Sequence, residues 1–153
     1  MNSRRLLAVV VLALLVALAL ALPVSATGKK FVPPKKHVTT LETVLTGEQE
    51  VPGPGDRDGV GRAVVKVFKT KVCYKLAVKR IKPATDAHIH IGFRGEAGPI
   101  VVTLEPPTDG FSRGCVAIPR ALSLGLMEHP SRYYVNVHNE PFPAGAIRGQ
   151  LHR

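Results

Sequence analysis

The sequence DAHIHIGFRGEAGPIVV at residues 86–102 decides the fold, because an alternating run is followed by a glycine-rich turn and a second apolar run. Successive side chains of a β-strand point to opposite faces of the sheet. His88 and His90 therefore share one face, while Ala87 and Ile89 share the other. The segment predicts a strand with one polar and one apolar face, a turn and a second strand.

A second stretch, YYVNVHNEPFPAGAIRGQL at residues 133–151, repeats this alternation. Asn136 and His138 fall on one face of the predicted strand, and Val135 and Val137 fall on the other. We expect the apolar faces of the two strands to share a core. The histidines would then lie on outer or rim surfaces of the sheet, where they either meet around a metal ion or are solvated.

Short β-rich runs separated by Gly- and Pro-rich turns account for most of the remaining chain. Pro119 suits a first helical turn, and Gly114 indicates a bulge in its strand. We predict an all-β protein, an antiparallel sandwich or closed barrel of seven to eight short strands, with one short helix near 119–129. The predicted strands cover 39–47, 61–69, 71–81, 86–93, 100–105, 111–118, 133–139 and 146–152.

Residues 1–26 have the features of a secretory signal peptide. Arg4 and Arg5 precede an apolar run at residues 6–22, and small residues follow before Thr27. An uncleaved N-terminal anchor is the alternative, since this run approaches the length that spans a bilayer. In either case we expect the protein to be secreted or associated with the cell envelope, outside the cytoplasm, and to contact a membrane only if the segment stays uncleaved.

The rest of the chain divides into a basic, Pro-containing linker at residues 27–38 and one β domain at residues 39–153. Without Arg4 and Arg5 the net charge is about +8. This charge suggests an acidic extracellular or envelope partner, with local placement of the lysines as the alternative. No recognition helix or stacking motif indicates binding to nucleic acid.

The chain contains two cysteines, Cys73 and Cys115. Export to an oxidising compartment predicts that they form a disulfide, with a free thiol or a thiolate ligand as the alternative. Cys73 shares a strand face with Lys75, and Cys115 shares one with Arg113. We therefore expect a bond on the surface or at an edge that joins two strands.

The segments AHIHIGFRGEAGPIVVTL, YYVNVH and IRGQL, in this order, resemble the CHRD domain, a family named from chordin and found in exported bacterial proteins. The resemblance covers residues 39–152. It implies an immunoglobulin-like β-barrel, and the family has no generally assigned catalytic activity. In the family a Gly-Gly-Glu sequence often precedes IRGQL, whereas Ala144, Gly145 and Ala146 stand here, so the role of that glutamate does not carry over.

The histidines His88, His90 and His138 form a candidate metal site, because neutral imidazoles are good ligands for copper and zinc. A His-x-His strand is also faintly similar to copper-zinc superoxide dismutase. The alternative is structural, with the rings bonded to nearby backbone or to the Asn136 amide. We expect no resident cofactor under the structural alternative, and copper or zinc under the other.

Arg148 and Gln150 share a face in the motif IRGQL, and we interpret them as an outer-face polar ladder that, with Asn136, supports the strands. No serine stands in a nucleophile elbow. We therefore predict no catalytic residues.

Overall fold

A computed structural model of the protein describes residues 38–153, so the predicted signal segment and all but the last residue of the predicted linker lie outside the described residues. Eight antiparallel strands form one sheet in the order β5-β4-β7-β8-β1-β2-β3-β6. These strands and the helix are β1 Thr39–Thr46, β2 Val60–Val67, β3 Lys71–Lys79, β4 Ala84–Ile91, β5 Ile100–Leu104, β6 Phe111–Ala117, α1 Arg120–Glu128, β7 Tyr133–Asn139 and β8 Phe142–Gln150.

The sheet curls until its first and last strands, β5 and β6, come close to each other, so the fold is a nearly closed barrel. The backbone N–H of Glu105, just after β5, donates a hydrogen bond of 2.8 Å to the hydroxyl of Tyr74 on β3. The all-β prediction is confirmed, and the barrel is the form that the sheet takes. Within residues 38–153, no helix is long and apolar enough to cross a membrane.

The core lies inside the barrel and is built from the apolar half of each alternating strand. Leu126 of α1 is fully buried in this core. The helix is anchored by the Ser123 hydroxyl, which donates to the carbonyl oxygen of Phe68 at 2.6 Å. Other fully buried core residues are Leu41, Leu45, Val65, Val67, Val72, Ala87, Ile89, Val135, Val137 and Ile147.

Two local predictions are wrong. The last strand begins at Phe142 rather than at residue 146, because only residues 140–141 form the turn and Phe142 already pairs with Asn139. Gly114 lies in an uninterrupted register opposite Tyr74, without a bulge. A Cβ atom at position 114 would lie 2.9 Å from the Tyr74 hydroxyl, so this glycine makes room for the tyrosine.

The predicted disulfide is confirmed. Cys73 and Cys115 are direct partners in the register of β3 and β6 and form a disulfide bond across 42 residues of chain. Cys73 is half-buried and Cys115 is exposed, on the outside of the barrel. The bond is therefore a surface staple that ties the edge strand β6 to the sheet.

Candidate metal centre

The sheet brings the three predicted histidines together on the outside of the barrel. His88 and His90 lie on β4, and His138 lies on the neighbouring strand β7. One ring nitrogen from each lies within 4.8 Å of the other two. The closest pair is His88 Nδ1 and His138 Nε2, at 3.3 Å. The pairing of β4 with β7 thus brings histidines that are distant in the sequence into one cluster.

His90 is the most deeply placed ligand, with 8% of its surface exposed. Its Nδ1 lies 2.8 Å from the carbonyl oxygen of Gly98, which only accepts hydrogen bonds. The proton is therefore on Nδ1, and Nε2 carries a lone pair. That Nε2 atom is buried and has no hydrogen-bond partner among the described residues.

His138 is held in the same way by the hairpin that follows it. Its Nδ1 lies 3.0 Å from the carbonyl oxygen of Pro143, so this nitrogen donates and Nε2 has the lone pair. Nε2 is the atom that faces His88. Backbone carbonyls that orient imidazoles in this way are typical second partners of metal-binding histidines.

The surroundings of His88 and His90 favour their neutral forms. Burial lowers the pKa of His88, and the adjacent His138 lowers it further. Burial also lowers the pKa of His90, against a smaller opposite effect of its bond to Gly98. A neutral imidazole has the lone pair that a metal ion requires, so the lowered pKa values suit these two rings to metal ligation.

The spacing fits a small transition-metal ion. Zinc–nitrogen bonds of about 2.0–2.1 Å place two ligands of a tetrahedral ion about 3.3 Å apart. His88 Nδ1 and His138 Nε2 already have this separation. A metal ion bound by both atoms would take the place of the proton that His88 Nδ1 donates, and that proton would move to His88 Nε2 through solvent. Zinc and copper both accept such a set of imidazoles.

Arg148 and Gln150, predicted to form an outer-face polar ladder, are covered by other segments of the chain. His90, Asn136, Arg148 and Gln150 do lie on the outer side of the strands, but all four are buried. The segments at residues 47–56 and 92–98 cover this side of β7 and β8. The backbone N–H of Asp56 bonds to Ala146, and the backbone N–H of Gly98 bonds to the Tyr134 hydroxyl. The covered residues form a second, polar layer outside the barrel.

Arg148 is the centre of this polar layer and is only 2% exposed. Its guanidinium carbon lies 3.4 Å from the centre of the Tyr134 ring, and its Nη2 donates to the carbonyl oxygen of Phe93 at 2.9 Å. The other side of Tyr134 stacks on His90, with ring centres 4.7 Å apart. Arg148 therefore supports the histidine centre through the tyrosine.

Gln150 holds the segment that covers the site. Its side-chain amide donates to the carbonyl oxygens of Gly92 at 2.8 Å and Ser131 at 2.7 Å. Asn136 instead donates to Glu50 Oε2 at 3.2 Å. Both amides therefore bond to segments other than the imidazoles. Of the structural alternative, the bonds of the rings to nearby backbone are present, at Gly98 and Pro143, and the bond to Asn136 is not.

Sequence reasoning missed Glu50, a carboxyl group that is 6% exposed. Burial raises its pKa to about 7, although Arg148 and the bond from Asn136 oppose this shift. Glu50 lies 86 residues before Asn136 and stands in a loop rich in glycine and proline. No local pattern marks it, because only the return of that loop to the sheet buries the carboxyl.

The remaining histidines do not join the cluster. His129 and His152 are exposed and lie outside the group of three, and His37 lies outside the described residues. Asp86 is opposite His138 in the register but is exposed. Among residues 38–153, the three clustered histidines are the ones whose geometry fits a metal ion.

Comparison with known proteins identifies the family of the chain. No curated protein and no solved structure matches the sequence. A family model does match, and it covers residues 41–151, which is nearly all of the described barrel. The chain therefore belongs to the CHRD domain family.

Proposed function

We propose that this protein is an exported, non-catalytic CHRD module that holds one zinc or copper ion at His88, His90 and His138. The non-catalytic part of the proposal rests on membership of the family. The metal-binding part rests on the geometry of the cluster. Export is supported by the apolar N-terminal segment and by the disulfide, which belongs to an oxidising compartment.

The observation that carries the proposal is the Nε2 atom of His90. A buried polar atom almost always has a partner, and one without a partner calls for a physical explanation. His90 belongs to a group of three histidines whose ligand atoms lie within 4.8 Å of one another, and Nε2 is its ring nitrogen that is not bonded to Gly98. A metal ion at the cluster would satisfy this atom together with His138 Nε2, and with His88 Nδ1 once that nitrogen gives up its proton.

Bound metal would join β4 to β7 and stabilise the folded protein by mass action, because the unfolded chain does not hold the three rings together. The chain itself supplies the orientation. Gly98 and Pro143 hold the imidazoles of His90 and His138 through their Nδ1 atoms, so the orientation of these two rings is set by the backbone.

The test is a titration of the purified, untagged protein with Zn²⁺ and Cu²⁺, monitored by calorimetry. The metal content of the protein is then measured after dialysis. We expect one ion per chain. The double variant His88→Ala, His138→Ala should bind no stoichiometric metal, and its circular dichroism should remain that of a β protein because both side chains are half-buried.

The matched control is the double variant His129→Ala, His152→Ala, which removes two exposed histidines outside the cluster. It should bind one ion with the wild-type affinity. The proposal fails if the wild type binds no stoichiometric ion, or if both double variants lose binding equally, since the ion would then be held by surface histidines in general.

Export has its own test. We expect the mature protein to begin near Thr27 when the full chain is expressed in a host that has a secretion pathway. N-terminal sequencing of the protein recovered outside the cytoplasm checks this cleavage. An intact Met1 in a membrane fraction would instead support the anchored alternative.

A further inference from the structure

The outer faces of β2, β3 and β6 form a positively charged surface that the histidine centre does not use. These three strands contain no aspartate or glutamate. They lie at one end of the strand order, whereas the histidines lie on β4 and β7. This basic face consists of the exposed side chains Arg62, Lys66, Lys71, Lys75, Lys79 and Arg113.

The arrangement of these cations lowers the stability of the sheet. Lys75 is the direct partner of Arg113 in the register of β3 and β6, and like charges directly opposite each other destabilise a sheet. Within residues 38–153 the one ion pair is Arg62 with Glu42, at 2.6 Å. The other five cations of the basic face have no acidic partner among these residues.

The Cys73–Cys115 disulfide lies in the middle of the basic face. Its cysteines are two positions from Lys75 and Arg113 on the same strands and on the same side of the sheet. The bond therefore keeps the two strands together where their charges repel. It also makes the surface that carries the charges rigid.

We propose that the basic face binds a linear anionic polymer that carries sulfate, phosphate or carboxylate groups outside the cell. Lys71, Lys75 and Lys79 follow one strand at intervals of four residues, about 13 Å apart. A line of cations of this kind is complementary to a chain with repeating negative charges. This inference is independent of the metal centre.

A polymer fits this surface better than a lipid bilayer does. In these three strands Phe111 is the one large apolar side chain that is exposed, and it lies at the end of β6. Glu105 and Asp109 line the open cavity beside Phe111 and Arg113, so the negative charge there would oppose insertion of this end into an anionic membrane.

The test measures binding of the whole protein to dextran sulfate, polyphosphate and polygalacturonate, with uncharged dextran as the negative probe. We expect at least one polyanion to bind with an affinity that falls as salt is raised. In the variant Lys66→Gln, Lys75→Gln, Lys79→Gln the Kd should rise at least tenfold. The probe that binds best identifies the acidic group.

The control variant Arg57→Gln, Arg94→Gln, Arg132→Gln removes the same charge from exposed positions outside the basic face. It should keep the wild-type Kd within about twofold. Three results would overturn the proposal: no binding to any polyanion, equal loss in both triple variants, or tighter binding to vesicles of anionic phospholipid than to the polymers.

Discussion

The imidazole of His90 donates a hydrogen bond of 2.8 Å from Nδ1 to the carbonyl oxygen of Gly98. This bond fixes the proton on Nδ1 and leaves the lone pair of the buried ring on Nε2. It also joins β4 to the segment that covers the site. The position of Gly98 therefore controls both the chemistry of the cluster and the packing of the covering loop.

Replacement of Gly98 by alanine should damage the centre. A Cβ atom there would overlap the carbonyl oxygen of Ile91, so the backbone must move. We expect the free energy of unfolding to fall by roughly 2 kcal/mol or more. The zinc affinity should fall 10- to 100-fold, as for other lost partners of metal ligands. Urea denaturation and calorimetric titration measure the two effects.

Gly53→Ala is the matched control, because no atom lies within 4 Å of a Cβ built at Gly53. Its stability and zinc affinity should equal those of the wild type within about 0.5 kcal/mol. Wild-type zinc affinity in the Gly98→Ala protein would contradict the role given to this carbonyl.

Arg148→Lys should be destabilising although it keeps the charge. A lysine has no planar group to lie on the Tyr134 ring, and its ammonium group is harder to remove from water. We expect a loss of roughly 3 kcal/mol in the free energy of unfolding, because the lysine would be a buried charge with poor partners. Arg113→Lys, at an exposed position, should change stability little. Equal stability of the two variants would show that the buried stack contributes nothing.

Glu50 should make stability depend on pH. Its folded-state pKa is about 7, against an ordinary value of 4.5, so the folded protein binds more protons than the unfolded chain between these pH values. The contribution of Glu50 is therefore complete below about pH 4.5 and is lost as the pH rises through about 7. From about pH 4.5 to pH 8, the difference in free energy of unfolding between Glu50→Gln and the wild type should shift by roughly 3 kcal/mol in favour of the variant.

Unfolding of both proteins at several pH values checks this prediction. The lowered pKa values of His88 and His90 act in the opposite direction, but they are present in both proteins and cancel in the difference. A difference that does not vary with pH would mean that Glu50 titrates normally in the folded state.

Loss of the disulfide should lower stability without affecting the metal centre. For a closed loop of this length the chain-entropy model gives about 4 kcal/mol. Cys73→Ser, Cys115→Ser should show this loss in chemical denaturation, and its zinc stoichiometry should stay at one, since β3 and β6 do not carry the histidines. Loss of zinc binding in a variant that is still folded would contradict this independence.

Much of the fold could be predicted from local patterns. The strand around His88 and His90 was recognisable because alternation of polar and apolar side chains is a property of a single strand. The bulge expected at Gly114 was wrong because the glycine serves a contact with Tyr74, which belongs to another strand. The early start of β8 at Phe142 was missed because proline and glycine at positions 143–145 have the composition of a loop.

The sequence by itself determined which side chains share a strand face, that the cysteines pair and that His88, His90 and His138 lie on the polar side. Only the tertiary structure decided that this side is covered, so that His90 is buried and His88 and His138 are half-buried. The reason is physical: the direction of a side chain is set by its neighbours in the strand, whereas burial depends on distant segments that return to cover it. Glu50 reaches Asn136 across 86 residues, and no local pattern contains that contact.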